Sequence, residues 1–311
     1  MARHRLRRHR RRRRYHLFVV LLLAAGLIGA EVVHEVIRHG AADPAPAALV
    51  RGPDPAAGDE PAAGATATPD PGPPSPDAVR VPVEGFLSWA FLDRRSGRIT
   101  GSANHTAPSD TMSMVKAWLA ADYLRRIPPG ETPTEARLDA LTRMIRDSDN
   151  AAAQDLFAVL GRRRSIERLV ETCGLTDSAP YHDAWSNTVV SARDTVRIGL
   201  CLADGRAAGD RWTPWLLDEM RRVRGVGDFG IRAALPADLA PQVAIKNGWL
   251  LRDEDGLWHI ACLAIGPDWV VAALARYPGR LGFEYGTGLC RDVGGQLLVG
   301  RVRAAPPPNA P

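Results

Sequence analysis

The chain contains 38 arginines and only two lysines, Lys116 and Lys246. Arginine stays protonated in proteins, whereas a lysine removed from water can lose its proton and act as a base. In a sequence that uses arginine for nearly all of its positive charge, the two lysines are therefore candidates for chemical work. The alternative is two leftover surface lysines, and the neighbouring residues decide between these interpretations.

Lys116 ends the motif Ser-Met-Val-Lys at residues 113–116, at the start of an apolar helix. Side chains three residues apart lie on one face of a helix, so the amine can take the proton of the serine hydroxyl. Lys246 begins Lys-Asn-Gly at 246–248 on a predicted strand, and Ser-Asp-Asn at 148–150 lies between two predicted helices. Each motif alone is a weak signal, but the three in this order are a specific one.

Serine-x-x-lysine, Ser-Asp-Asn and Lys-Thr-Gly in this order are the signature of class A β-lactamases and penicillin-binding proteins. From about residue 85 to 303 the chain resembles the serine hydrolases related to class A β-lactamases, especially their secreted or membrane-anchored actinobacterial members. The matching stretches include the hairpin before Ser113, SDNAAAQDLF from Ser148 and AIKNGW around Lys246. The resemblance implies an α+β fold, with an antiparallel sheet flanked by helices and an inserted helical lobe.

The resemblance also implies roles for the matching residues. Ser113 would attack a substrate carbonyl, Lys116 would accept its proton, and Ser148 would relay a proton to the leaving nitrogen. Lys246 would attract a substrate carboxylate and help to keep Lys116 neutral. The oxyanion hole would be formed by the backbone N–H groups of Ser113 and Trp249, which are effective donors when aimed at developing charge. The complete set of predicted substrate-binding residues is Asn150, Lys246, Asn247, Gly248 and Trp249.

Three differences from the family pattern bear on the chemistry. Asn247 stands where threonine or serine is usual, and only 35 positions separate Ser113 from Ser148. The stretch 175–194, which would carry the glutamate that activates water for release of the acyl group, contains no glutamate. The residues that could replace it, each more often a solvated loop residue, are Asp177, His182 and Asp183. The sequence therefore predicts the machinery for acylation without a clear residue for efficient β-lactam hydrolysis.

Apolar periodicity predicts the elements that must position these residues. A hairpin with its turn at 94–97 precedes Ser113, helical stretches fill the middle, and three strands follow, the first of them continuous over 242–251. A final helix is expected at about 286–301. Strands at both ends with helices between them predict one antiparallel sheet, an inserted helical lobe, and a catalytic groove where the two meet.

Three other patterns carry less weight. Residues 225–230 match G-x-G-x-x-G, but they follow a helix rather than a strand, so they predict a flexible loop and not a nucleotide site. The eight tryptophans are core residues by default, with Trp185 and Trp249 as candidates for lining the groove. No His, Cys and Asp spacing suggests a metal site, and no cofactor is expected.

Four cysteines lie at positions 173, 201, 262 and 290. An oxidising location permits two disulfides, with three possible connectivities. Pairing Cys173 with Cys201 and Cys262 with Cys290 is one hypothesis. Four buried free thiols are an equal alternative, because lone cysteines are often core residues.

The N-terminal region predicts an exported protein. Residues 1–16 form a basic tail expected in the cytoplasm, and 17–37 a transmembrane signal anchor that leaves the rest of the chain extracytoplasmic as a single-pass protein of the cell membrane. The uncharged run 17–30 also fits a signal peptide, which would make the protein secreted after cleavage. No cysteine precedes Cys173, so no lipid-modified cysteine is expected at the end of the apolar run.

The remaining boundaries follow from composition and charge. Residues 38–78 are rich in proline and alanine and predict a disordered linker. The serine hydrolase domain is expected at 79–303 and a disordered tail at 304–311. Nine arginines lie within residues 1–14, so the rest of the chain is left with a formal charge of −4 out of a total of +5. A nucleic-acid-binding domain would carry its basic patch on the fold itself, so that class is excluded.

Together these features predict an extracytoplasmic serine hydrolase that forms an acyl-enzyme on Ser113. Its expected partner is a small molecule, either a β-lactam, a peptide derived from peptidoglycan, or a related amide or ester. The alternative is a non-catalytic domain of the same fold that binds wall fragments or an envelope partner. Asn247 and the missing glutamate favour the alternative. The combination of Lys116 and Ser148 with Ser113 favours the enzyme, since binding alone does not require it.

Overall fold

The computed structural model describes residues 72–298 and 300–301. The predicted segments outside these residues are the basic tail 1–16, the anchor 17–37, most of the linker 38–78 and the tail 304–311. Within the described part of the chain, no helix combines the length and the apolar character that crossing a bilayer requires.

The described residues contain eight strands. They are β1 (Phe86–Asp93), β2 (Ile99–Gly101), β3 (Ser109–Asp110), β4 (Val189–Val190), β5 (Ala244–Ile245), β6 (Gly248–Leu251), β7 (Leu257–Ile265) and β8 (Trp269–Pro278). Six of them form one antiparallel sheet in the order β2-β1-β8-β7-β5, with β6 also paired to β7. Strands β3 and β4 pair separately. Because β1 pairs with β8 along its whole length, the N-terminal strand completes a sheet built mainly by the C-terminal third.

Seven α-helices surround the sheet within the described residues. They are α1 (Lys116–Leu124), α2 (Glu135–Arg146), α3 (Asn150–Val159), α4 (Arg163–Cys173), α5 (Ala192–Ala203), α6 (Thr213–Arg221) and α7 (Gly282–Leu298). Helix α5 packs on one face of the sheet, where a Cβ on Gly199 would meet Leu263 and Val270. Helix α7 packs on the other face, where Gly286 lies against Ile260 and Tyr277. The α+β prediction, with an antiparallel sheet and an inserted helical lobe, is confirmed.

The strand predicted over 242–251 is divided into β5 and β6, and Lys246 and Asn247 lie between the two parts. Both side chains are buried, and both make polar contacts outside the sheet. These contacts displace the backbone from regular pairing, although the Lys246 N–H still donates to the carbonyl of Leu263 at 3.2 Å. The final helix begins at Gly282, four residues earlier than the sequence predicted.

The cysteines form two disulfides, Cys173–Cys201 and Cys262–Cys290. The hypothesised pairing is therefore confirmed, and the alternative of four free thiols is wrong. The first bridge joins the end of α4 to α5, and the second joins β7 to α7. Each one fastens a helix to a neighbouring element of the core, and each closes a loop with a sequence separation of 28 residues.

Replacing Cys262 and Cys290 together by alanine is expected to lower the free energy of unfolding by about 3 kcal/mol. The reason is the extra conformational freedom of an unfolded chain that no longer contains this closed loop. Urea unfolding followed by circular dichroism measures the change. The Cys173/Cys201 double alanine variant is the matched comparison. Its loop has the same sequence separation, so its free energy of unfolding should fall by a similar amount. A loss below about 1 kcal/mol in both variants would contradict the prediction.

Candidate active site

Ser113 lies in a 3-10 turn, Met112–Val115, directly before α1. The sequence predicted Ser113 on the helix itself, whereas the structure places it in the turn that precedes the helix. Met112 has a φ of +46°, a conformation that is strained for a residue with a side chain. The turn is fixed from behind by Thr111, which is fully buried and whose N–H donates to the carbonyl of Thr188 at 3.1 Å. The Ser113 side chain is half-buried, and its hydroxyl forms no hydrogen bond with the described residues.

Lys116 is the first residue of α1, and its side chain is fully buried. Its Nζ donates to the Ser148 carbonyl at 2.5 Å, to Asn150 Oδ1 at 2.6 Å and to Ser148 Oγ at 3.2 Å. The ring of Trp185 lies over the amine, with its centroid 4.9 Å from Nζ. Burial lowers the pKa of Lys116 to about 7, although the nearby charge of Asp149 acts in the opposite direction. A large fraction of this amine is therefore neutral at neutral pH, as a general base must be.

Ser148 lies between the two lysines. Its Oγ is 3.2 Å from the Nζ of Lys116 and 3.0 Å from the Nζ of Lys246. Its φ is +59°, so a second strained residue lies at the site. The conformation is supported by Asp149, whose carboxylate caps α3 by accepting from the N–H groups of Ala151 and Ala152. A hydroxyl can both accept and donate, so it can pass a proton between two amines that it contacts.

Lys246 is also fully buried. Its Nζ donates to the Asn247 carbonyl at 3.2 Å in addition to Ser148 Oγ. Burial, followed by repulsion from Lys116, lowers the pKa of Lys246 well below its ordinary value. Two ammonium groups that share one hydroxyl out of water disfavour each other's charge. The pair therefore holds at least one neutral amine at neutral pH.

Asn247 directs its amide away from Lys246. Its Nδ2 donates to the carbonyls of Gly227 and Phe229, at 3.1 and 2.8 Å, and the residue is almost completely buried. The loop 225–230 is thus held in place and forms parts of two 3-10 turns, in contrast to the flexible loop that the sequence predicted. Buried Arg232 holds the same loop by bonds to Asp228 and to the Val223 carbonyl.

Gly248 brings β6 against the turn that carries the nucleophile. A Cβ at this position would lie 2.5 Å from the Thr111 carbonyl oxygen and 2.6 Å from the backbone nitrogen of Ser113. Only glycine permits this approach, which sets the backbone before Trp249 beside the N–H of Ser113. The Trp249 ring packs edge-on against Phe229, at 5.7 Å between centroids.

The candidates for activating water are otherwise engaged or exposed. Asp177 accepts two hydrogen bonds from Arg193 and one from Ser191, at 2.6 to 2.9 Å. Burial alone would raise the pKa of Asp177, but these hydrogen bonds outweigh it and lower the pKa. His182 and Asp183 are exposed, and the His182 ring stacks edge-on against Tyr181. In this stretch it is Trp185 that covers Lys116. Its position over the amine follows from the folded loop and is not visible in the sequence.

Part of the chain is similar in sequence to a known family and to named relatives. Residues 124–274 match the model of the beta-lactamase enzyme family. The proteins named "Putative lipoprotein LppW" of Mycobacterium tuberculosis and Mycobacterium bovis are 30% identical over 188 residues, which span 58% of this chain and 60% of each relative. The match thus covers less than two thirds of the relatives' own length.

Solved structures show the same fold. A class A β-lactamase from Mycobacterium abscessus superposes with a TM-score of 0.53 and 20% identity, covering 70% of this chain and 94% of that protein. A β-lactamase from Sphaerobacter thermophilus gives a TM-score of 0.56 and 16% identity, with 70% and 92% covered. The chain has the class A β-lactamase fold, and its residues 124–274 are similar to the beta-lactamase enzyme family.

The prediction of a single-pass membrane protein is contradicted. A spanning helix needs about 20 predominantly apolar residues. The longest helix of the described residues, α7, has 17 residues and contains Glu284, Arg291 and Asp292. The relatives are named "Putative lipoprotein LppW", a name that points away from a single spanning helix. The predicted anchor 17–37 itself lies outside the described residues.

Proposed function

We propose that this chain is an exported serine hydrolase whose domain, residues 79–303, forms an acyl-enzyme on Ser113. The proposed substrate is a β-lactam, a cell-wall peptide or a related amide or ester. One observation carries the proposal: two buried lysines share the hydroxyl of Ser148, and one of them, Lys116, follows Ser113 by three residues. The two disulfides support export, because such bonds persist in oxidising compartments. An exported location also agrees with the name of the relatives.

In the proposed reaction, Ser113 Oγ attacks the substrate carbonyl while its proton passes to neutral Lys116. The carbonyl oxygen becomes negatively charged and accepts hydrogen bonds from the backbone N–H groups of Ser113 and Trp249. The proton then moves from Lys116 through Ser148 Oγ to the leaving nitrogen, and the bond from the carbonyl carbon to nitrogen breaks. The product is an ester on Ser113 and a neutral leaving amine.

The other predicted residues take supporting roles in this proposal. Asn150 is exposed and lies at the start of α3, within reach of both Lys116 and a bound substrate. Lys246 is fully buried and bonded to Ser148, which favours its role in keeping Lys116 neutral over direct contact with a carboxylate. The Asn247 amide donates to two carbonyls of the loop 225–230. Asn247 therefore acts by holding this loop in place rather than by contacting the substrate.

Release of the acyl group is expected to be slow. Among the described residues of the stretch 175–194, the acids are engaged in ion pairs or exposed, and the residue over Lys116 is the tryptophan Trp185. An indole ring excludes water and cannot activate it. We therefore expect an acyl-enzyme that persists, as in a penicillin-binding protein.

The test is covalent labelling followed by intact-mass spectrometry. Incubation with a penicillin or a fluorophosphonate is expected to add one mass increment, located on Ser113, and Ser113→Ala is expected to remove it. Ser96→Ala is the matched control, because Ser96 is an exposed turn residue on the β1–β2 hairpin. Labelling that survives Ser113→Ala would overturn the proposal. A time course separates a persistent adduct from a transient one.

A second candidate is a non-catalytic binder of wall fragments or of an envelope partner. It is favoured by the three Lys116 hydrogen bonds, all of which go to Ser148 and Asn150 rather than to Ser113. Reversible binding of a muropeptide without any adduct on Ser113 would support it. Turnover of any ester that depends on Ser113 would exclude it.

A further inference from the structure

A cleft of about 220 Å³ is lined in part by Asp110, three residues before the proposed nucleophile Ser113. Its lining comes from four elements: β3 with the residue before it, the segment 181–189 that ends at the first residue of β4, the turn after β6, and Arg276 of β8. Gly248 of β6 touches the turn of Ser113, and Arg252 lies four residues further along. At about 3.3 Å per extended residue, Arg252 lies at most about 13 Å along the chain from the point where β6 meets the Ser113 turn.

Two arginines supply the charge of this cleft, Arg252 and Arg276. Arg276 lies on β8 with its guanidinium 4.5 Å from the centroid of Phe86, and its Nη2 donates to the Pro108 carbonyl at 3.3 Å. Its Nε is buried and has no hydrogen-bond partner among the described residues. No carboxylate of these residues forms an ion pair with Arg276, in contrast to most arginines of the helical lobe.

Arg252 is already engaged. Its Nη2 lies 2.7 Å from Asp110 Oδ2, so the two side chains form an ion pair. Asp110 is fully engaged, since its other oxygen lies 2.9 Å from Nδ1 of His259. Two arginines and one aspartate leave the lining with one net positive charge. Arg276 contributes the charge that no carboxylate of the described residues neutralises, and an anion in the cleft would pair with its guanidinium.

We infer that this cleft is a subsite for a carboxylate at the far end of an extended substrate, whose scissile bond lies at Ser113. A single positive charge matches a carboxylate monoanion better than a phosphate dianion. The planar guanidinium groups can present pairs of N–H donors to the two oxygens of a carboxylate. The substrate preferred by this enzyme thus carries an acidic side chain or terminus no more than about 13 Å from the acylated carbonyl. This inference about substrate class rests on the proposed function.

The first experiment measures binding without chemistry. Adipate is titrated by calorimetry into the purified full chain carrying Ser113→Ala, and adipamide serves as the uncharged probe. We expect adipate to bind, adipamide not to bind, and the dissociation constant of adipate to rise about tenfold or more when Arg276→Gln is added. Arg276→Lys is expected to restore part of the affinity, because it keeps the charge.

Controls separate the subsite from general effects. Arg280→Gln removes an exposed arginine of the same end of the sheet that is ion-paired with Glu84, and it should leave adipate binding unchanged. Arg252→Gln is a second variant in case loss of the Arg276 contact with Phe86 impairs folding. Equal binding by the parent chain and by both glutamine variants would overturn the inference. Tighter binding of inorganic phosphate than of adipate would overturn the assignment to a carboxylate.

The second experiment measures chemistry. Two cephalosporins that differ only at the end of the side chain, an ω-carboxylate and its methyl ester, are compared for the rate of Ser113 acylation. The acid is expected to react about tenfold faster than the ester, and Arg276→Gln is expected to abolish this preference. If the preference for the acid over the ester persists in Arg276→Gln and in Arg252→Gln, the subsite inference is wrong and the proposed function is unaffected. If adipate binding depends on Arg276 but no probe acylates Ser113, the proposed function is wrong and the carboxylate site is unaffected.

Discussion

Replacing Lys116 by methionine is expected to slow acylation of Ser113 by about a thousandfold and to raise the melting temperature at pH 7. Methionine fills a similar volume without an amine, so the base is lost and the surrounding packing is retained. The stability gain arises because Lys116 is fully buried, and its charged form is disfavoured there. Stopped-flow acylation with a reporter penicillin and differential scanning calorimetry measure the two effects.

The same lysine sets the expected pH dependence. Its pKa in the folded chain is about 7, whereas an exposed lysine has a pKa of 10.5. Acylation requires the neutral amine, so its rate should rise about tenfold per pH unit below 7 and level off above it. Between pH 7 and 10.5 the unfolded chain holds the proton and the folded chain does not. The free energy of unfolding should therefore rise with pH in this window.

Lys116→Arg is the matched comparison. It keeps a positive charge and lacks basicity, so acylation is expected to be lost as in Lys116→Met. A guanidinium cannot shed its charge in the buried site, so this variant should melt at a lower temperature than the parent, in contrast to the methionine variant. Acylation that persists in both variants at a tenth of the parent rate or more would show that Lys116 is not the base.

The three motifs could be recognised in the sequence because each contains a serine or a lysine whose side chain can take part in acyl transfer. Lys116, Ser148 and Lys246 meet within hydrogen-bond distance, and the rarity of lysine had already marked two of them. Short apolar runs between turn residues likewise predicted the antiparallel sheet, since strands that are buried on both faces carry such runs. Both inferences depend on local signals that a single sequence contains.

Other features depend on contacts between distant segments and could not be predicted in this way. Asn247 holds the carbonyls of Gly227 and Phe229, some 20 positions earlier, and nothing in its immediate neighbours indicates that direction. Trp185 reaches Lys116 from a loop without periodicity. The cleft at Arg252 and Arg276 combines residues from several strands and loops. In each case the tertiary arrangement, rather than local propensity, sets the side chain's role.

The second large effect is expected at Gly248. In Gly248→Ala the added Cβ would lie 2.5 Å from the Thr111 carbonyl oxygen, 2.6 Å from Met112 Cβ and 2.6 Å from the Ser113 nitrogen. These are backbone atoms or atoms next to the backbone, so they cannot move aside as a flexible side chain would. Strand β6 must shift away from the Met112–Val115 turn, and overpacking of this kind typically costs about 1–3 kcal/mol of stability.

The shift separates the two proposed oxyanion donors, because the Trp249 N–H follows Gly248 directly and the Ser113 N–H belongs to the turn. Loss of one well-aimed donor slows acyl transfer by about 10²- to 10³-fold, so acylation of Ser113 should fall by about that factor. The expected signature is a slower acylation step at saturating penicillin with little change in the pH dependence, because Lys116 and Ser148 are not displaced. Gly288→Ala is the control, since Gly288 lies on helix α7 and its added methyl would meet only Arg291 Nη2, at 4.0 Å. A Gly248→Ala enzyme that acylates as fast as Gly288→Ala would mean that the oxyanion is not stabilised where β6 meets the Ser113 turn.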